Sequence, residues 1–331
     1  MLFDASIRPS SLREIPEIAR QAEDCGFSAL WTSETQHNPF LPLTLAAEHS
    51  ENLQLGTSLA IGFARSPTEL AHTAWDLSHQ SGGRFILGLG TQVRAHIERR
   101  FGMDWPGSPV GKLRELIAGI RAVWGTWQNG DKLNFRGEYY KLTLMSPFFN
   151  PGPIEYPEIP IHIAGVNPGL CRLAGEIADG FQVHPLHTVR YLRESIIPAI
   201  KEGVDFAHRS TNDVPLAISV FVVNDDAEER YVRSQIAFYA STPSYRRVMA
   251  LHGWGDIAEQ LSKMVKRRTW DSMAALISDE MLQLFAVVAP EEATSAMLKE
   301  KYSGLVHRIK LYRPFVPGER DHFWRRLCAE I

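Results

Sequence analysis

Short apolar runs alternate with longer stretches of helical periodicity along the chain. The runs are Leu2–Ile7, Ala29–Glu34, Leu53–Ile61, Arg84–Thr91, Ile159–Gly165, Gly180–His184, Leu216–Asn224 and Leu282–Ala289. Each has the length of a buried strand. Between them, Leu12, Ile15, Ala19, Ala22 and Cys25 recur at helical spacing behind a capping box, Ser11-x-x-Glu14, and Gly26 stops that helix. Ser66-Pro67 opens a second helix, with Leu70, Ala71, Ala74 and Leu77 on one face and Gly82-Gly83 at its end. Leu113, Leu116, Ile117, Ile120 and Val123 mark a third. Val189, Leu192, Ile196, Ile197 and Ile200 mark a fourth, with a kink expected at Pro198. Ala293, Ala296 and Met297 follow the last run. Strand–helix alternation predicts a parallel sheet covered on both faces. Eight repeats predict an α/β fold, a (β/α)8 TIM barrel, with an open doubly wound sheet as the alternative.

Two stretches are too long for plain connections. Residues 129–158 contain Phe135-Arg-Gly-Glu-Tyr-Tyr-Lys-Leu142, a predicted hairpin, followed by a proline-rich segment from Pro147 to Pro160. Residues 241–281 carry Trp254, Trp270 and two short helical patterns. They are insertions before strands five and eight, either lids and contact surfaces or surface decoration. No linker divides the chain, so residues 1–331 are expected to form one domain.

Composition adds mainly exclusions. The chain has 331 residues, 44% hydrophobic and 22% charged, which is globular composition. A net charge of −3 offers no basic excess for nucleic acid. Cys25, Cys171 and Cys328 are far apart and odd in number, which suits neither a disulfide framework nor a zinc site. With no basic-plus-apolar leader and no run of spanning length, a cytoplasmic protein is expected, without a membrane partner.

Catalytic groups of a parallel barrel sit at the carboxyl ends of its strands. Those ends supply Glu34, Gln36 and His37 after strand two, and Thr91, Gln92 and His96 after strand four. Strand five contributes Gly165 to Gly169, and strand six His184 and His187. Gly88-x-Gly90 is half a dinucleotide fingerprint, but Val93 stands where the third glycine belongs, so a tight strand end explains it better. His184-x-x-His187 lacks an accompanying carboxylate and encloses a proline, which argues against a metal. Neither a nucleophile elbow, a Walker A loop nor a His-Glu-x-x-His motif occurs. Gly165–Gly169 before a helix could hold an anion on backbone amides, or be turn chemistry alone.

Several segments in order carry a family resemblance. They are Gly26-Phe-Ser-Ala-Leu-Trp31, Leu55-Gly-Thr-Ser-Leu59 with Arg65-Ser-Pro67, and Gly83-Arg-Phe-Ile-Leu-Gly-Leu-Gly90. Phe135-Arg-Gly-Glu-Tyr-Tyr140, Ile161-His-Ile-Ala-Gly165 and Ala178-Asp-Gly-Phe181 follow. In this order the chain resembles the bacterial luciferase-like superfamily of flavin and deazaflavin oxidoreductases. Thr91-Gln-Val-Arg-Ala-His-Ile-Glu-Arg-Arg-Phe-Gly102 and Asp279-Glu-Met-Leu282 are similar to an actinobacterial subgroup that uses 8-hydroxy-5-deazaflavin, coenzyme F420. The resemblance implies an F420-dependent oxidoreductase acting on a small organic molecule. An FMN-dependent monooxygenase and a non-catalytic cofactor-binding barrel are the alternatives. It also implies a homodimer and a cis peptide bond between Ser58 and Leu59, against which the cofactor ring lies. The implied cofactor contacts are Ser58, Leu59, Thr91, Gln92, His96, Gly165, Val166 and Pro168, and Glu34 stands at a further matching position.

Departures from the pattern narrow the chemistry. Relatives that oxidise a sugar phosphate carry Asp-His where this chain has Glu34-Thr35, a Glu where it has Val93, and a Lys where it has His187. The resemblance therefore argues against a sugar-phosphate dehydrogenase. His37 and His184 are left as the candidate proton carriers, with Glu34 as the neighbouring carboxylate; an ordinary imidazole titrates near neutral pH.

Overall fold

The computed structural model describes residues 1–331, with the side chain of Asp271 outside the description. Eight parallel strands close into a barrel: β1 (Leu2–Ile7), β2 (Ala29–Thr32), β3 (Gln54–Thr57), β4 (Phe85–Gly90), β5 (Ile161–Gly165), β6 (Gly180–Val183), β7 (Leu216–Val223) and β8 (Arg308–Leu311). Neighbours pair in chain order, and β8 closes the ring between β7 and β1. Helices connect successive strands on the outside. Ile15–Cys25 packs a face of Ile15, Ile18, Ala19 and Ala22 against the barrel and ends at Gly26, whose φ of 91° is open to glycine at little cost. Ser66 caps the helix Pro67–Gln80 by accepting the Glu69 N–H at 3.1 Å.

Three expectations change. The eighth barrel strand is Arg308–Leu311, not the run ending at Ala289: Leu282 lies in the helix Asp279–Phe285, and Ala286–Val288 is a short strand paired with the carboxyl-terminal residues Phe221–Val223 of β7. The insertion at 241–281 still precedes strand eight. Glu14 bonds Ser10, through Oγ and N–H, instead of closing a box with Ser11, whose own hydroxyl accepts the Arg13 N–H. The irregularity near Pro198 is a π-turn over Leu192–Ile196, which ends as Pro198 enters the first turn of the helix Ile197–Phe206. The hairpin forms as read, Phe135 opposite Leu142 and Arg136 opposite Lys141. The segment after it exposes Leu144, Phe148 and Phe149.

Apolar residues fill the space between strands and helices, whereas the barrel interior is partly charged. Phe3, Ala5 and Ile7 face outward; Phe3 stacks on Phe27 at 5.4 Å. The alternate position Asp4 faces inward, as do Arg308 and Lys310 on β8. Arg308 donates to both Asp4 oxygens at 2.8 Å and to Gln54 Oε1 at 2.6 Å. Trp31 adds an indole N–H to Asp4 at 2.9 Å, and both cations lie over its ring. A buried charge is tolerable only when such partners replace its water.

Candidate active site

The carboxyl end of β3 is irregular. The ladder between β3 and β4 holds through Gly56–Ile86, breaks, and resumes as Ala60–Ile61 beside Leu89 and Gly90. Within the break the Ser58–Leu59 peptide is cis. Several polar groups around it have partners. The Ser58 N–H donates to Thr32 O at 2.6 Å, Leu59 O accepts from Glu34 N–H at 3.2 Å, and Thr57 O accepts from Gln182 Nε2 at 3.1 Å. Thr57 Oγ1 substitutes for the missing ladder, bonding Gly88 O at 2.7 Å and Gly88 N–H at 2.9 Å. Gly88 is required here, because a Cβ would stand 1.8 Å from Thr57 O.

Glu34 is committed to this bulge. Its carboxylate accepts from Arg65 Nη1 at 2.7 Å, Arg65 Nη2 at 2.9 Å and the Ile61 N–H at 2.7 Å. His37 is exposed on the loop beyond it, and the same loop is tied across the mouth by Arg100 donating to Thr35 O. After β4, Thr91 and Gln92 are half-buried, Gln92 has a positive φ of 58°, and its side chain accepts the Val93 N–H at 3.0 Å. His96 is exposed on the short helix Arg94–Arg99. Gly165 is half-buried and Val166 buried, with Val166 O accepting from Tyr191 Oη at 2.8 Å. Pro168 begins a helix whose N-cap, Asn167, makes no side-chain cap.

His184 is half-buried at the end of β6, between Tyr245 and Tyr239, whose rings are centred 4.3 and 4.6 Å away. Its Nδ1 accepts the Leu186 N–H at 3.0 Å, so the neutral ring carries its proton on Nε2. Burial, with help from His187, pushes the His184 pKa down to about 3. His187 lies deeper, with Nδ1–H donating to His184 O at 2.9 Å; burial holds its pKa down at about 4. Both ring nitrogens that face backbone are thus engaged, and no cluster of three metal-ligating side chains occurs among the described residues. Tyr239 and Tyr312 share a hydroxyl–hydroxyl bond of 2.7 Å, and Tyr312 donates onward to Gln235 at 3.0 Å.

Sequence reading passed over the floor of the mouth. Lys310 Nζ donates to Ser58 Oγ at 2.5 Å and reaches Gln182 Oε1 at 3.4 Å. Burial pulls its pKa down to about 7; Arg308 adds to that and Asp4 opposes it. His162, also interior, is held down at about 3 by burial and the two cations. The residues present suit a planar cofactor ring. Half-buried Leu59 offers an apolar surface beside the bulge, glycines at 88 and 90 keep side chains off the strand ends, and Lys310 supplies a buried polar floor. Two surface clefts lie elsewhere, about 490 Å³ beside Leu2 and His307 and about 290 Å³ beside Arg8 and Phe315; the first opens at the opposite end of the barrel.

Comparison with known proteins agrees with this geometry. An uncharacterized protein of Mycobacterium tuberculosis is 44% identical over 313 residues, covering 93% of this chain and 92% of its own. The F420-dependent glucose-6-phosphate dehydrogenase of Amycolatopsis mediterranei is 30% identical over 241 residues, 69% of this chain and 70% of its own. The structure of the coenzyme F420-dependent tetrahydromethanopterin reductase from Methanopyrus kandleri superposes with a TM-score of 0.79 at 20% identity, over 100% of this chain and 99% of that one, a likeness of fold. The family model described as luciferase-like monooxygenase matches residues 3–308, and the chain belongs to that family.

Proposed function

We propose that the protein is an oxidoreductase that moves a hydride between coenzyme F420 and a small organic substrate bound in the barrel mouth. The observation that carries this reading is the broken β3–β4 ladder over a buried polar floor, in a chain 30% identical to an F420-dependent relative. The cofactor supplies the hydride chemistry; the protein supplies orientation and proton management. Ser58, Leu59, Thr91 and Gln92 would hold the ring, and Gly165, Val166 and Pro168 the tail, with His96 at the rim.

The side chains divide the remaining work. Glu34 acts by fixing the bulge, since Arg65 and the Ile61 N–H take up its oxygens. His184, neutral at working pH, orients substrate through Nε2–H. His37, exposed on the loop after β2, is the histidine left to exchange a proton with solvent. The reaction named for the Amycolatopsis relative is not assigned to this chain, because the family resemblance implies other residues at the positions of Glu34-Thr35, Val93 and His187.

An FMN-dependent monooxygenase is the competing reading, favoured by the description of the family model. Fluorescence titration with both cofactors separates the two. Micromolar or tighter binding of F420, about −8 kcal/mol or better, with clearly weaker FMN binding is expected. Equal or inverted affinities would sink the proposal.

A further inference from the structure

We propose that Lys310 is a specificity-determining residue: its ammonium makes the mouth prefer a ring that carries negative charge, the deprotonated 8-hydroxy-5-deazaflavin, over the neutral oxidised ring of FMN. The inference rests on the functional reading above and goes beyond it, by naming the contact that would select the cofactor.

The charge balance inside the barrel motivates it. Asp4, Arg308 and Lys310 are all buried, at 2%, 6% and 7% exposure. Asp4 is fully used by Arg308 through two hydrogen bonds and by the Trp31 N–H. Lys310 has only neutral partners: Ser58 Oγ, a long contact to Gln182 Oε1, and the face of Trp31 with Nζ 4.8 Å from the ring centre. His162, the other titratable group nearby, is neutral over the whole working range. When Lys310 is protonated the interior thus holds one surplus positive charge, and an ammonium with three donors is left incompletely satisfied. Desolvated charge of this kind is costly until an opposite charge arrives.

The position of that charge decides what could arrive. Ser58, which receives the ammonium, is half-buried in the break between the two β3–β4 ladder segments, at the edge of the mouth. Lys310 therefore lies directly beneath the surface on which a ring would rest. The 8-hydroxyl of the oxidised deazaflavin is acidic and conjugated through the ring to the pyrimidine carbonyl, so its anion spreads over the whole system. The oxidised FMN ring has no such hydroxyl and is neutral. Both cofactors carry phosphate in the tail, so the ring charge is what this lysine distinguishes. Its lowered pKa, about 7, fits a group that becomes fully charged when an anion binds beside it.

The test uses the full chain, oxidised F420 and oxidised FMN, in fluorescence and visible-absorbance titrations from pH 5 to 8. In the wild type, bound F420 should keep the spectrum of its anion to lower pH than the free cofactor does. Lys310→Met should raise that spectral transition and weaken F420 binding about tenfold or more, the size of one charge-assisted contact, while FMN binding changes little. Lys310→Arg should keep both wild-type properties. Thermal melting of each variant shows that it is folded, and the wild-type spectral transition serves as a readout needing no variant. A bound transition at or above the free value in the wild type, or equal losses for the two cofactors in Lys310→Met, overturns the inference alone. A wild-type chain that binds neither cofactor overturns the functional reading and this inference together.

Discussion

Arg65 holds Glu34 by both terminal guanidinium nitrogens, Nη1 and Nη2, at 2.7 and 2.9 Å, and the same carboxylate takes the backbone N–H of Ile61. The pair joins the loop after β2 to the far side of the bulge after β3. Glu34→Gln leaves a half-buried guanidinium with only the half-exposed Glu69 carboxylate, 3.7 Å from Nε, so a loss of about 1–3 kcal/mol in unfolding free energy is expected. Cofactor affinity should fall with it, and Arg65→Lys should do less harm than Arg65→Ala. Chemical denaturation and cofactor titration of the three variants check this; unchanged stability in Glu34→Gln would dismiss the bracing role.

Asp4 neutralises an interior that otherwise holds two cations. Removing it as Asp4→Ala leaves Arg308 unpaired in a dry environment, and a loss of about 3–5 kcal/mol is expected. Replacing both partners, Asp4→Leu with Arg308→Met, should recover much of that loss. A urea-denaturation cycle over the single and double variants measures the coupling; additive losses would show that the pair is not a unit.

Two fully buried histidines make the fold sensitive to acid. His162 and His187 have pKa values lowered to about 3 and about 4, whereas the unfolded chain titrates near its ordinary value of 6.5. Below that value the unfolded state binds protons that the folded state refuses, so stability falls as pH drops from about 6.5 toward 4. The slope approaches about 1.4 kcal/mol per pH unit for each histidine. Urea unfolding at pH 7.5, 6 and 5 should show the decline, and His162→Gln should flatten it. A stability independent of pH over this span would contradict the burial of these rings.

The two mouth histidines should separate in kinetics. His184, neutral down to about pH 3, cannot supply an ionisation between pH 5 and 8. His184→Gln should lower turnover, by about 10²-fold or more if its proton is used, without altering the pH profile. His37→Gln should lower turnover by a similar factor if the exposed ring relays the proton. Once a reduction screen has found a substrate, turnover and pH–rate curves of both variants decide; loss of an ionisation between pH 5 and 8 in His184→Gln would overturn its neutral role.

What the sequence could show followed from which faces were apolar. Seven barrel strands were legible because helices cover their outer residues, and the hairpin because Phe135-Arg-Gly-Glu-Tyr-Tyr is bounded by turn chemistry. The cis Ser58–Leu59 bond was reached through family resemblance, not residue physics. The eighth strand escaped because Arg-Ile-Lys-Leu is not an apolar run. It is a period-two alternation whose inward residues are charged, and that alternation was the available signal. Missing β8 also hid Lys310 from the candidate site. Glu34 was legible as a mouth residue but its engagement with Arg65 was not, since 31 positions separate them and only the folded bulge brings them together.

The closing strand has a further bearing on how this chain reaches its folded state. β8 is four residues long and pairs with β7 on one side and, on the other, with β1, whose Asp4 lies 304 positions from Arg308. Until it docks, the sheet presents two open parallel edges, Leu2–Asp4 and Ala217–Val220. Unpaired edges of that kind template association with other chains. Contacts so distant in sequence also form late, because loop closure is unfavourable before they reward it. A single short, partly charged strand therefore separates a closed barrel from an aggregation-prone open sheet, and its polar inward positions make a misplaced docking unrewarding.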